Sequence, residues 1–308
     1  MRYRRLGRTG LSVSEVGLGT VELGMDYGIA DGRGPAKPSR DEAARVLNQA
    51  LDSGINFIDT ARAYGASEET IGWALGARRK EYILASKVSC RAEEGQRLRD
   101  HVARSLEQSL GALETDVIDL MQLHSASAEE IRRGELADIL QEVQAAGSIR
   151  FLGATTYGEE AARAALEDGR YDCVQIAYNL LDREAEERIL PLAQAKEIGV
   201  VVRSVLLKGA LTHRYRHLPA ELAELKSAVE RILLVASRAS CSLPEFAYRF
   251  VLAQPAVSTL LVGTARVEEL KAVIEYCAQG PLTADWEALV RAVGLEDRRA
   301  LNPGSWNL

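Results

Sequence analysis

The chain has 308 residues, of which 47% are hydrophobic and 27% charged, with a formal net charge of −6. This is globular composition; it excludes disordered, collagen-like and low-complexity chains, and the length suits one large domain or two ordinary ones. The acidic balance argues against nonspecific binding to nucleic acid or an anionic membrane. No run approaches the ~18 apolar residues of a membrane-spanning helix. The opening MRYRRLGRTGLSVSEVGLGT lacks the apolar core of a secretory signal. Cys90, Cys173, Cys241 and Cys277 form no CxxC pair, so neither a zinc site nor a disulfide framework is indicated. Reduced thiols in the cytoplasm are expected.

In chain order, residues 1–13 predict a short hairpin turning at residues 7–10, with Arg2, Arg4, Arg5 and Arg8 as a solvated face. Apolar runs then predict eight strands, at 15–19, 56–58, 82–86, 117–123, 149–154, 172–177, 200–206 and 258–263. Most are rich in Val, Ile and Leu, and several lack polar alternation, as in strands buried on both faces of a parallel sheet. Helix-patterned stretches lie between them. Ser39 leads into one that stops at Gly54, and Ser67 is expected to cap SEETIGWALGA. A Gly/Pro-rich loop (25–40), extra helix (211–246) and a C-terminal extension (281–308) exceed the minimal repeat. Strand–helix alternation repeated eight times predicts an α/β fold, a (β/α)8 barrel forming a single domain over residues 1–308.

In such a barrel the chemistry gathers where the strands end. The residues there are Asp59, Lys87, His124, Thr155 with Thr156, Gln175 and Ser204, while Tyr64 follows Asp59 in the loop leaving the second strand. A phenol has a pKa of ~10, a nearby ammonium favours its ionised form, and a carboxylate keeps that ammonium charged. With a histidine to orient an oxygen, this set suits proton transfer to or from a carbonyl or alcohol. His213 and His217 lack a carboxylate or thiol to complete a metal set and read as solvated. GLGTVE lacks the third glycine of a dinucleotide fingerprint, and no GxxxxGK[ST], HExxH or GxSxG occurs.

On these residues, and on YRRLGRTGLSVSEVGLGT, GINFIDTARAYGASEETIGWAL, ILASK, DLMQLH, IRFLGATT, CVQIAYN and LLVGTARVEEL, the sequence resembles the aldo-keto reductase superfamily along nearly its whole length. The resemblance implies a nicotinamide-dependent oxidoreductase acting on an aldehyde, ketone, sugar or alcohol. Asp59, Tyr64, Lys87 and His124 match its catalytic tetrad, with Tyr64 as general acid or base. It places Gly19, Thr20, Thr155, Thr156, Gln175, Arg203, Ser204, Leu206, Gly263, Thr264, Arg266 and Glu269 around the cofactor. Thr155 and Thr156 replace the usual Ser-Asn pair, and Arg203 replaces an aromatic that often stacks on the nicotinamide. Arg266 can bind a 2′-phosphate, whereas Glu269, at a position often basic, favours a free 2′-hydroxyl. The family habit inclines the reading towards NADP(H), with NAD(H) close behind. Val21 and Ser125, often large aromatics in the family, and Tyr27 are expected to line a polar substrate pocket. The alternative is a cofactor-binding regulatory or interaction subunit with little turnover.

Overall fold

The structure, a computed structural model, describes residues 1–30, 37–89 and 95–306. Strands β1 (Tyr3–Arg5) and β2 (Ser12–Ser14) pair antiparallel, Tyr3 opposite Ser14. At the turn, Gly7 lies so close to the neighbouring backbone that an added Cβ would sit 2.2 Å from the Gly199 nitrogen. Eight parallel strands follow and close on one another: β3 (Val16–Gly19), β4 (Phe57–Asp59), β5 (Ile83–Val88), β6 (Ile118–Ala126), β7 (Ile149–Thr156), β8 (Cys173–Ala177), β9 (Gly199–Arg203) and β10 (Thr259–Gly263). Leu6 and Val13 of the hairpin pack with Phe57, Ala85, Leu120, Cys173, Val201 and Leu261, so the barrel is filled from below. Its other end stays open to polar groups.

Arg2, Arg5 and Arg8 are exposed, as expected of a solvated hairpin face, but Arg2, Arg4 and Arg8 also make specific contacts. Arg2 and Arg4 both bond Glu15, and Arg4 also donates to the carbonyls of Leu252, Gln254 and Val257. Arg8 reaches Asp172 and the carbonyls of Gly169 and Tyr171. These contacts clamp the plug to the barrel floor.

Helices α1 (Val21–Gly24), α2 (Arg40–Asp52), α3 (Ser67–Leu75), α4 (Gly95–Ala112), α5 (Ala128–Arg133), α6 (Glu135–Ala145), α7 (Gly158–Asp168) and α8 (Ile189–Ala195) occupy the connections up to β9. In α2, Ser39 accepts from the Glu42 amide while Glu42 accepts from the Ser39 amide. Ala43, Val46, Leu47, Ala50 and Leu51 give it one buried stripe. After β9 come 3-10 turns, then α9 (Ala223–Arg238) and α10 (Leu243–Leu252); α11 (Val267–Ala278) and α12 (Ala284–Arg291) follow β10. The expected extra helix and C-terminal extension are both present. His213 and His217 lie in a 3-10 turn, not an α-helix.

Three local expectations are corrected. The strand read over 200–206 ends at Arg203, because Ser204 turns to φ +60° and leaves the extended region. The strand read over 117–123 runs on to Ala126, past an irregularity where Ser125 adopts φ +54°. Ser67 does not cap α3: it is the first helical residue, fully buried, and its hydroxyl bonds those of Thr60 and Thr20. Cys90 and part of the 25–40 loop lie outside the described residues.

The plug predicts a stability contrast. Leu6→Ala removes a fully buried side chain and is expected to cost about 2–5 kcal/mol in denaturant unfolding. Leu234→Ala, at a position 67% exposed, is expected to change stability by less than about 0.5 kcal/mol.

Candidate active site

Parallel register brings the strand-end side chains to one mouth. Asp59 ends β4, and Lys87 projects from β5, which pairs with it. Lys87 Nζ donates to Asp59 Oδ2 at 2.5 Å and to the Thr60 carbonyl at 2.9 Å, and both side chains are buried. Burial works against the charge of Lys87. Asp59 and Tyr64 outweigh it by charge and hydrogen bonding, so its pKa is raised. The Tyr64 ring lies with its centroid 4.8 Å from Lys87 Nζ, and His124 packs edge-on against it at 5.7 Å. The four predicted tetrad residues are therefore together.

The loop carrying Tyr64 is pinned from behind. A Cβ on Gly24 would fall 1.8 Å from the Tyr64 carbonyl oxygen, and the Ala66 amide donates to the Gly24 carbonyl at 3.2 Å. Only glycine permits that approach of α1. The second oxygen of Asp59 accepts from the Gln175 and Gln122 amides at 2.8 and 3.0 Å. Gln122 was missed in the sequence; its signal is a polar residue inside an otherwise apolar strand. Thr20 donates to the Asp59 carbonyl at 2.9 Å, beside Gly19.

Gly19, Thr20, Asp59, Tyr64, Lys87, His124 and Gln175 line a cavity of about 470 Å³, with Gln122 behind them. Val21, Tyr27 and Ser125 line it too, as do Thr155, Ser204 and Leu206. At its far end stand Gly263, Thr264 and Glu269. Two predicted residues do not line it. Thr156 lines a second cavity of about 430 Å³, with its hydroxyl buried and unpartnered. Arg266 precedes α11 as its N-cap and faces solvent, 3.6 Å from Glu269.

Arg203 lies over Tyr157, with Cζ 3.9 Å from the ring centroid, and donates to the Thr156 carbonyl at 2.8 Å and to Ser204 Oγ at 3.2 Å. Tyr157 was also missed; an aromatic directly after the two threonines was the available hint. Beyond β9, Ser204, Leu207 and Lys208 take φ of +60°, +46° and +56°. Such strain in non-glycine residues gathers at functional loops.

The far wall is acidic. Glu269 accepts a 2.5 Å hydrogen bond from Thr264. Glu22, unremarked in the sequence, is pushed up to about 7, first by burial and then by Glu269, with Arg214 opposing. Burial also pushes Tyr27 up to about 12.

The cavity fits an amide-bearing planar ring. Gln175 spends its amide protons on Asp59 and Gln122, which leaves its carbonyl as an acceptor. Thr155 Oγ accepts from the Ser125 amide at 2.6 Å and keeps its proton to donate. Among the described residues no three His, Cys, Asp or Glu converge as a metal site, and no helix is long and apolar enough to cross a membrane.

Residues 15–294 match the model of the Aldo/keto reductase family. An oxidoreductase of Bacillus subtilis, YqkF, is 30% identical over 92% of this chain and 94% of its own length. L-galactose dehydrogenase of Arabidopsis thaliana is 29% identical over 88% of this chain and 86% of its own. The solved holo form of aldo-keto reductase AKR11C1 from Bacillus halodurans superposes with a TM-score of 0.79 at 29% identity, covering 97% of this chain and 99% of that one.

The raised pKa of Glu22 makes stability depend on pH. A carboxyl held neutral in the fold contributes stability below its unfolded pKa and loses that contribution as pH rises through about 7. Glu22→Gln is expected to match wild type near pH 4 and exceed it by roughly 1–3 kcal/mol at pH 8. Urea melts across that range check it.

Proposed function

The chain belongs to the aldo-keto reductase family and is an oxidoreductase; on that premise we propose that it interconverts an aldehyde, ketone or sugar carbonyl and the matching alcohol, with Tyr64 carrying the proton. The observation that carries this reading is the buried Lys87 ammonium, clasped by Asp59 and set against Tyr64. In reduction, the Tyr64 hydroxyl gives its proton to the substrate oxygen. Lys87 balances the negative charge left on the phenol oxygen, and Asp59 holds Lys87 in place. His124, on the other side of Tyr64, positions the oxygen that receives the proton. In oxidation the same groups run in reverse. A bound nicotinamide supplies or accepts the hydride.

Gln175 and Thr155 would hold its carboxamide, with Thr156 adjoining, and Arg203 would lie against its ring. Gly19, Thr20, Ser204 and Leu206 would border its ribose and phosphates. Gly263, Thr264 and Glu269 would meet the adenosine end. Glu269 stands on the groove wall, with the buried Glu22 held towards its neutral form beside it, while Arg266 stands outside. On these charges we read NAD(H) as the better fit, against the lean to NADP(H) drawn from family habit. A carboxylate beside a 2′-phosphate is repulsive, whereas beside a 2′-hydroxyl it accepts a hydrogen bond.

Val21 and Ser125 place little bulk near His124 and Tyr27 adds a hydroxyl, so the pocket suits polar carbonyls and sugars. The name of the Arabidopsis relative points to the same class. No nucleic-acid or membrane partner is invoked, and the expected setting is the cytoplasm.

Tyr64→Phe is expected to lower kcat for a general carbonyl panel by about 10²–10⁴-fold while changing cofactor Kd by less than about threefold. Tight cofactor binding with no turnover of any carbonyl or alcohol by the wild type would instead favour a regulatory subunit. Titration with both cofactors tests the charge argument: Glu269→Arg is expected to shift the Kd ratio towards NADP(H) by about tenfold or more, the 1–2 kcal/mol scale of one exchanged charge contact.

A further inference from the structure

Among the described residues Arg203 borders the cavity without a carboxylate partner, as does Lys208, whose ammonium reaches the Pro303 carbonyl. Lys87 has Asp59 at 2.5 Å, whereas Arg203 makes no ion pair among the described residues. Its hydrogen bonds go to neutral groups, the Thr156 carbonyl and the Ser204 hydroxyl. Its remaining close contact is the face of Tyr157. Asp182 senses its charge, but at 3.6 Å that acid already faces Arg298, which also meets Glu184. Glu22 and Glu269 belong to the adenosine end assigned above. Half-buried, the guanidinium keeps more of its field than an exposed one would.

Its orientation is constrained as well. The Tyr157 ring centroid lies 3.9 Å from the Arg203 Cζ, and the bond to the Thr156 carbonyl tethers the group. Arg203 lines the main cavity along with Gln175, Tyr64 and Tyr157, which puts its charge at the wall of that cavity. We propose that Arg203 makes the site distinguish the two redox forms of the nicotinamide, binding the reduced, uncharged ring more tightly than the oxidised, cationic one. The proposal rests on the nicotinamide reading above and adds a preference between its two states.

The physical reason is a change of sign. An aromatic side chain presents a negative π face, which attracts a cationic ring at least as well as a neutral one. A guanidinium stacks on a neutral ring but repels a cationic one, and the repulsion grows as water is displaced. The replacement of an aromatic by Arg203 therefore keeps the flat contact and reverses the electrostatic preference.

Equilibrium titration of the full-length protein with NADH, NAD+, NADPH and NADP+, followed by calorimetry, tests this without turnover. The readout is the ratio of oxidised to reduced Kd for whichever pair binds. Arg203→Gln is expected to lower that ratio by about tenfold, chiefly by tighter binding of the oxidised form, which corresponds to about 30 mV in the bound two-electron potential. Arg203→Lys, which keeps the charge, is expected to retain most of the wild-type ratio. Arg203→Tyr serves the same comparison as Arg203→Gln if the glutamine variant does not fold. A ratio unchanged within twofold in the neutral variants, or lost equally in Arg203→Lys, overturns the proposal and leaves the nicotinamide reading intact. A wild type that binds none of the four ligands overturns both.

Discussion

The charge pair between Lys87 and Asp59 is the constraint around which the open end of this barrel is arranged. Taking an ammonium and a carboxylate out of water costs several kcal/mol per ion unless the remaining donors and acceptors are met. Here they are met one by one. Lys87 also reaches the Thr60 carbonyl, and Asp59 receives two side-chain amides from Gln122 and Gln175. Those partners sit on β4, β5, β6 and β8, so the pair forms only when four strands are in correct register. Lys87 lies opposite Gln122 and Thr155 opposite Gln175. The network thus ties barrel closure to the presentation of Tyr64 and His124.

The two ends of the barrel divide the labour. At the floor the hairpin supplies Leu6 and Val13 to an apolar cluster, and its arginines bind carbonyls and acids around the rim. The polar strand-end residues gather at the mouth, where loops as well as strands set the finer geometry. Glycine in α1 lets that element press against the backbone of Tyr64. Left-handed residues after β9 bend the chain along the cavity that it helps to line.

The departures from the family pattern share a physical theme: charge is moved relative to the cofactor. A guanidinium, Arg203, stands where the resemblance implies an aromatic, and an acid, Glu269, where it implies a base. Neither change falls on Asp59, Tyr64, Lys87 or His124, which keep their mutual contacts. In the function proposed above, Gln175 links the two sets of residues through its bond to Asp59.

Much of this was legible in the chain itself. Eight Val/Ile/Leu-rich runs separated by amphipathic helices specify a parallel barrel, because such strands must be covered on both faces. Asp59, Lys87 and His124 stand out because each ends an apolar run. Gln122 and Glu22 did not, since what matters about them is which side chain faces them across the barrel. The contacts of Arg4 were hidden for the same reason: its carbonyl partners lie about 250 residues away. Local pattern determined the elements, their order and the residues at their ends. Closure of the sheet decided which of those residues touch, which charges are matched and which, like Arg203, are left facing the cavity, because contacts between distant strands have no local signature.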